Sequence, residues 1–389
     1  MAGCSDELEP PVDPGPQPRA EAERTVIVYM AGDNSLGNSA EDNFIPADTT
    51  EMLRGKDLIP EDVNFFIYID DRQQKPAIYE LSRKGGIQLW KQYETELNSI
   101  DPQTMLSVLR EIERCFPARH YGITFWSHAT GWAPERLSAR RKTFGMDLSQ
   151  GTPSGKYEME IPALREVLAQ LPKFDYIFFD ACFMQCIEVA YELKDVTNFM
   201  VGSPAEIPAP GAPYNKIVEA LCKGDAEGIV RGYDSGYPTP VYSGVLLSCI
   251  DCSKLDALAR ATGQLLRPIY MSQASLPLQN LQYYCNRTVE RYSYCFDMRT
   301  TMCRLLSEED YANWMELFDE AVPLRTHSTP DPYDYYGCPT WNAWWCTPAR
   351  LKDPTCYGGV SMFIPLDVYD NCSLNEDFQR TSWCAAMGF

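Results

Sequence analysis

Two stretches of the 389-residue sequence close on a residue able to take part in acyl transfer. Tyr121-Gly-Ile-Thr-Phe-Trp-Ser-His128 and Phe174-Asp-Tyr-Ile-Phe-Phe-Asp-Ala-Cys182 are both apolar, aromatic runs. Such runs read as buried parallel strands. Open α/β sheets bind ligands outside the carboxyl ends of their strands, so His128 and Cys182 at the ends of neighbouring strands would share one crevice. A free thiol has a pKa near 8.5 and needs help to become the thiolate nucleophile. An imidazole gives that help. The stretch Phe183-Met-Gln-Cys-Ile-Glu188 reads as the start of a helix, whose positive end would add to it. The turn Ala129-Thr-Gly-Trp132 could present the imidazole, and Gly131 or the Cys182 amide could donate to an oxyanion. Cys186, one turn along the expected helix, is the rival nucleophile. His120 reads as exposed at the start of a strand, and His327 as part of a loop.

The elements that must position these residues follow a βαβ rhythm. Thr25–Ala31 reads as a first strand, followed by a polar turn and a helix around 38–54. Val63–Asp71 is a second strand ending in acids, and 77–82 with 87–93 fits a hairpin across Arg83-Lys-Gly-Gly86. The segment 101–115 is a helix with Asp101 as its N-cap and Leu106, Leu109 and Ile112 on one face. After the strand to His128 come a helix over 161–171, a strand over 176–179, a helix over 183–193 and a strand over 198–202. This order implies an α/β fold with a mostly parallel sheet and helices on both faces. Beyond residue 250 the rhythm changes: helices over 251–273 and 307–320, an aromatic, cysteine-rich stretch over 326–357, and a strand over 358–365. The expected organisation is a tether over 1–24, an α/β domain over 25–250 and a mixed, Cys-rich region over 251–389 packed on it.

Composition narrows the function classes. A net charge of −20 offers no basic stripe for phosphates, which argues against nucleic acid. No apolar run is long enough to span a membrane. Met1-Ala-Gly-Cys4 resembles the end of a bacterial lipoprotein signal, with Cys4 the residue that would carry lipid. A lipid anchor there is the one expected membrane contact, and it implies export to the cell envelope or surface. Fifteen cysteines in an exported chain imply some disulfides. Cys249-x-x-Cys252 is the only close pair and His is scarce, so structural zinc does not fit.

Thr25–Ser35, Phe125-Trp-Ser-His-Ala-Thr-Gly-Trp132, Phe144-Gly-Met-Asp147 and Asp180-Ala-Cys-Phe-Met184 together resemble the clostripain family of cysteine peptidases, within the caspase, gingipain and legumain group. The resemblance covers roughly residues 25–250 and implies a His128–Cys182 dyad on a caspase-like sheet. It further implies cleavage after Arg or Lys, with Asp180 as the acid of the pocket that receives that side chain. A second pocket acid of the family falls in Glu206-Ile-Pro-Ala-Pro-Gly-Ala-Pro-Tyr214, which lacks Asp; Glu206 is the substitute. Asp180 could alternatively cap the helix that follows. Relatives cut themselves after a basic residue between the dyad strands, and Arg140, Arg141 and Lys142 are the candidates. No cofactor is required, although some relatives use calcium, for which Asp70, Asp71 and Asp147 are conceivable ligands. The expected partners are protein or peptide substrates. The rival reading is an inactive surface binding protein on the same scaffold, gripping ligands with the aromatic stretch 333–345.

Overall fold

The structure is a computed structural model that describes residues 18–37, 43–132, 144–148, 158–235, 245–271, 281–282, 284, 295–327, 357–367 and 373–389. The chain runs β1 (Ala22–Ala31), α1 (Ile45–Arg54), β2 (Val63–Asp70), β3 (Ala77–Ser82), β4 (Gly86–Gln92), α2 (Pro102–Cys115), β5 (Ala118–Trp126), α3 (Ile161–Leu168), β6 (Phe174–Asp180), α4 (Ile187–Leu193) and β7 (Thr197–Gly202). It continues as α5 (Tyr214–Lys223), α6 (Ala226–Ser235), β8 (Leu246–Asp251), α7 (Leu255–Met271), β9 (Phe296–Asp297), α8 (Met298–Leu305), α9 (Glu308–Ala321), β10 (Leu324–His327), β11 (Ser361–Met362), α10 (Leu374–Gln379) and α11 (Ser382–Met387).

Among the described residues nine strands form one sheet in the order β10-β8-β7-β6-β5-β1-β2-β3-β4. The five central strands, β7 to β2 in that order, are all parallel. Antiparallel strands close both edges. Chain order reverses between β1 and β5, which makes the carboxyl ends of these strands the switch point where such sheets hold ligands. One face is covered by α1, α5 and α6, through residues such as Met52, Tyr214 and Ile229. The other carries α2, α3, α4, α7, α9 and α11, through Leu109, Leu164, Val189, Leu258, Trp314 and Trp383. The region beyond residue 250 thus shares a core with the strands, and β10 extends their sheet.

Register at the centre is fixed by a row of rings. Tyr68, Tyr29, Phe125 and Phe179 are successive register partners across β2, β1, β5 and β6. Tyr29 stacks on Tyr68 with centroids 4.5 Å apart, and Phe125 stacks on Phe179 at 5.6 Å. Both tyrosine hydroxyls end on Ser99: Tyr29 donates to its carbonyl at 2.8 Å, and the Tyr68 and Ser99 hydroxyls lie 2.9 Å apart. A slip by one residue would turn this row to the other face.

Several boundaries differ from those read in the sequence. β1 begins at Ala22, inside the expected tether, because the Ala22 N–H pairs with the Pro117 carbonyl at 2.9 Å. α4 begins at Ile187 rather than at Phe183. His327 ends strand β10 instead of lying in a loop. The expected strand over 358–365 contracts to Ser361–Met362, paired with β9. Asp101 does cap α2, accepting from the Gln103 and Thr104 amides.

Candidate active site

β5 and β6 pair in parallel with Trp126 opposite Asp180. His128 and Cys182 each follow that pair by two residues, so adjacent strands deliver them to one end of the sheet at the same level. Neighbouring strands lie about 4.8 Å apart.

The His128 end is built from three segments. The Ser127 hydroxyl donates to the Ala31 carbonyl at 2.7 Å, joining β5 to β1. Asn34 donates its side-chain amide to the Ala31 and Met146 carbonyls, both at 2.9 Å. The Gly145 amide donates to the His128 carbonyl at 2.9 Å. The imidazole is partly buried, and its Nε2 lies 2.8 Å from the Ser35 hydroxyl. Burial lowers its pKa, which favours the neutral ring.

The Cys182 end differs from the helix mouth expected from the sequence. Phe183 adopts a left-handed backbone with φ 61°, uncommon for a residue with a side chain. Its amide donates to the Ala205 carbonyl at 2.9 Å, and the Gln185 amide donates to the Ser203 carbonyl at 3.0 Å. These bonds keep the chain out of helix until Cys186, the N-cap residue of α4. The positive end of α4 is therefore displaced from Cys182. The thiol accepts the Ile207 amide at 3.4 Å instead. Burial, and next the charge of Glu206, push its pKa up to about 12. In this state the pair is a protonated thiol beside a neutral imidazole.

Gly131 joins the two ends. Its φ is +88°, and a Cβ there would come 3.1 Å from the Phe183 carbonyl oxygen. Cys186 is buried, with its thiol pKa raised by burial, so it sits below the crevice as packing.

Asp180 is 3% exposed. With α4 starting at Ile187, it caps no helix; Oδ2 accepts the Ala212 amide and the Tyr214 hydroxyl, both at 3.0 Å. Burial, its largest influence, raises its pKa to about 6. Glu206 lies beside Cys182 in the segment that supplies the Ile207 amide.

The remaining acids occupy the other side of β1. Asp70 accepts from the Ser99 hydroxyl, Asp147 accepts the Ser99 amide at 2.9 Å, and Asp71 accepts the Gln73 and Gln74 amides. Among the described residues no group of three or more His, Cys, Asp or Glu is placed to hold a metal ion. His120 bridges to Asp175 at the opposite end of β5. Cys249 and Cys252 are free thiols. No described helix is long and apolar enough to cross a membrane. Cys4, Arg140, Arg141, Lys142 and the aromatic stretch 333–345 lie outside the described residues.

Sequence reading missed Ser35, Ile207, Asp48 and Tyr214. Ser35 was in view within the Asp33-Asn-Ser turn after β1, but its bond to His128 depends on pairing between strands far apart in the chain. Ile207 acts through its backbone, which leaves no side-chain signal.

A sequence model described as the clostripain family matches residues 28–322. The structure is similar to that of a secreted C11 cysteine protease from Bacteroides thetaiotaomicron in complex with an irreversible peptide inhibitor. The two share 28% identity and a TM-score of 0.75 over 94% of this chain and 99% of the other. An inactive zymogen C11 protease from Parabacteroides distasonis has 25% identity and a TM-score of 0.76, over 95% of this chain and 99% of its own. A B. fragilis cysteine protease has 29% identity and a TM-score of 0.53, over 63% of this chain and 97% of its own. No curated protein matches.

Proposed function

The chain belongs to the clostripain family of cysteine peptidases, and on that footing we propose an exported endopeptidase that cuts after Arg or Lys with Cys182 and His128 as its dyad. The observation that carries this reading is the parallel register of β5 and β6, which brings both residues past the Trp126–Asp180 pair. His128 accepts the Cys182 proton, and the thiolate attacks the peptide carbonyl to form a tetrahedral adduct. His128 then returns the proton to the departing amine, leaving an acyl-enzyme. Water, deprotonated by His128, hydrolyses the thioester and restores the thiol. This sequence draws on no cofactor. Asp180 receives the basic side chain through charge-assisted hydrogen bonds, and Glu206 lies close enough to Cys182 to add to the field.

The intact chain is a resting form on this reading. Its thiol is protonated, and the Ser35 hydroxyl occupies Nε2 of the histidine. Trp132 and Phe144 flank residues 133–143, and Phe144 bridges to Ala129 beside His128. A cut after Arg140, Arg141 or Lys142 would release that segment next to the dyad. Likeness to an inactive zymogen supports such activation. Export is supported by the secreted relative from B. thetaiotaomicron, and Cys4 is the proposed site of lipid attachment.

The test is hydrolysis of a peptide panel varied only at the residue before the scissile bond, run beside Cys182→Ala and followed by mass spectrometry of the enzyme. Turnover confined to Arg and Lys peptides, lost in the variant together with cleavage after Arg140, Arg141 or Lys142, is expected. Turnover of other peptides would overturn the specificity and retain the dyad. Full activity in Cys182→Ala would overturn the dyad.

A further inference from the structure

Asp48 and Glu51 project from α1 toward the same place as Asp180. Asp48 is 1% exposed and takes a hydrogen bond from the side chain of Trp126, the register partner of Asp180. Glu51, three residues along the helix, accepts the Tyr214 amide at 2.9 Å, and the Tyr214 hydroxyl donates to Asp180 at 3.0 Å. One tyrosine thus ties α1 to the end of β6. The three carboxylates gather just below the level of Cys182 and His128.

Burial, and next repulsion from Asp180 and Glu51, hold the Asp48 carboxyl well above the usual carboxylate range, so it keeps a proton that an arriving cation would displace. Asp48 Oδ2 has no hydrogen-bond partner although it is buried. The Tyr233 hydroxyl donates to Asp180. A buried carboxylate oxygen without a donor costs stability, and so do two like charges held together. A cation with several N–H donors would satisfy Asp48 Oδ2 and Asp180 together. Guanidinium supplies five in a planar fork and ammonium three.

We infer that Asp48 is a second specificity-determining carboxylate, receiving together with Asp180 the guanidinium or ammonium of the residue before the cut. The inference rests on the proposed basic specificity and adds a residue that is distant from Asp180 in sequence and near it in the fold. Two acids on different elements suit the Arg fork better than the Lys point charge, so Asp48 also favours Arg over Lys.

The experiment compares matched peptides carrying Arg, Lys or citrulline, the neutral isostere of Arg, before the scissile bond. Wild type, Asp48→Asn and Asp180→Asn are used in the form that turns over, intact or nicked. Wild type should prefer Arg strongly over citrulline. Asp48→Asn should cut that kcat/KM ratio at least about tenfold, the effect of losing one charge-assisted pair. Citrulline turnover and alkylation of Cys182 by iodoacetamide should stay within about twofold. A ratio retained in Asp48→Asn but lost in Asp180→Asn would overturn the role of Asp48 and leave the basic specificity standing. Equal losses on Arg and citrulline peptides would also overturn it. A wild type that does not distinguish the two peptides would overturn both readings. Should Asp48→Asn fail to fold, calorimetry of agmatine binding to the wild type at pH 5.5 decides. Release of more than one proton per agmatine is expected when two raised carboxyls ionise together; one or fewer overturns the pair.

Discussion

At the scale of single residues, the state of Cys182 is set by what surrounds it. Enclosure disfavours the thiolate, and Glu206 opposes it further with a negative charge. The Ile207 amide, at 3.4 Å, favours the ionised form. With the pKa pushed up to about 12, little thiolate exists at pH 8, and its amount there rises in proportion as the pKa falls. Removing the Glu206 charge lowers the pKa, and each unit is worth tenfold in thiolate. Glu206→Gln should therefore raise the rate of Cys182 alkylation by iodoacetamide at pH 8 by roughly three- to tenfold. The readout is mass spectrometry of the Cys182 peptide, because Cys303 is exposed and will also react. A rate that stays constant or drops would show that Glu206 does not act on the thiol.

At the scale of elements, the segments that carry His128 and Cys182 are locked together by the turn at Gly131. Its positive φ is open to glycine at little cost, and a Cβ there would press on the Phe183 carbonyl at 3.1 Å. Gly131→Ala should lose roughly 1–2 kcal/mol in urea unfolding from backbone strain. It should also slow peptide turnover, because the Phe183 carbonyl must move and Cys182 precedes it. Unchanged stability and turnover would mean that the turn does not couple the strands. The same region shows what the sequence could reveal. β5 and β6 were legible because a parallel strand buried on both faces must be a continuous apolar run, although β5 stops at Trp126, short of the expected His128, and β6 runs from Phe174 to Asp180, beyond the expected 176–179. The helix expected at Phe183 was a misreading with a clear cause. Phe183, Met184 and Ile187 have helical spacing, but bonds to the distant Ala205 and Ser203 carbonyls override it. Long-range partners also hid the setting of Asp180: Ala212, Tyr214 and, through Trp126, Asp48 arrive from elements that leave no mark near residue 180. Only the folded sheet brings them together.

At the scale of the whole molecule, the chain carries a net charge of −20 and also buries acids. Asp70 is the clearest case. Burial raises its pKa to about 9 despite the Ser99 hydroxyl bond, and Asp147, Glu96 and Asp33 add repulsion. Arg72, the nearby cation, pairs with Asp33 at 3.1 Å. Burial likewise raises Glu188 to about 7 and Asp180 to about 6. An acid whose folded pKa exceeds its unfolded value keeps a proton in the fold that the unfolded chain gives up. Its stabilising effect is complete below the unfolded pKa and is lost as pH rises through the folded one. The protein should accordingly unfold more easily at pH 9 than at pH 7. Asp70 alone accounts for about 2 kcal/mol of that difference if a full proton is released. Net charge acts in the same direction, so the slope alone does not identify the residue. Asp70→Asn keeps the size of the group and its bonding capacity toward Ser99 while removing the titration. Urea midpoints of wild type and variant should lie closest near pH 4 and separate as pH rises, with the variant ahead at pH 7 and by a wider margin at pH 9, relative to a surface control such as Glu61→Gln. Parallel curves across that range would place the pH dependence in the surface charge instead of in the carboxyls packed behind the β1 and β2 ends.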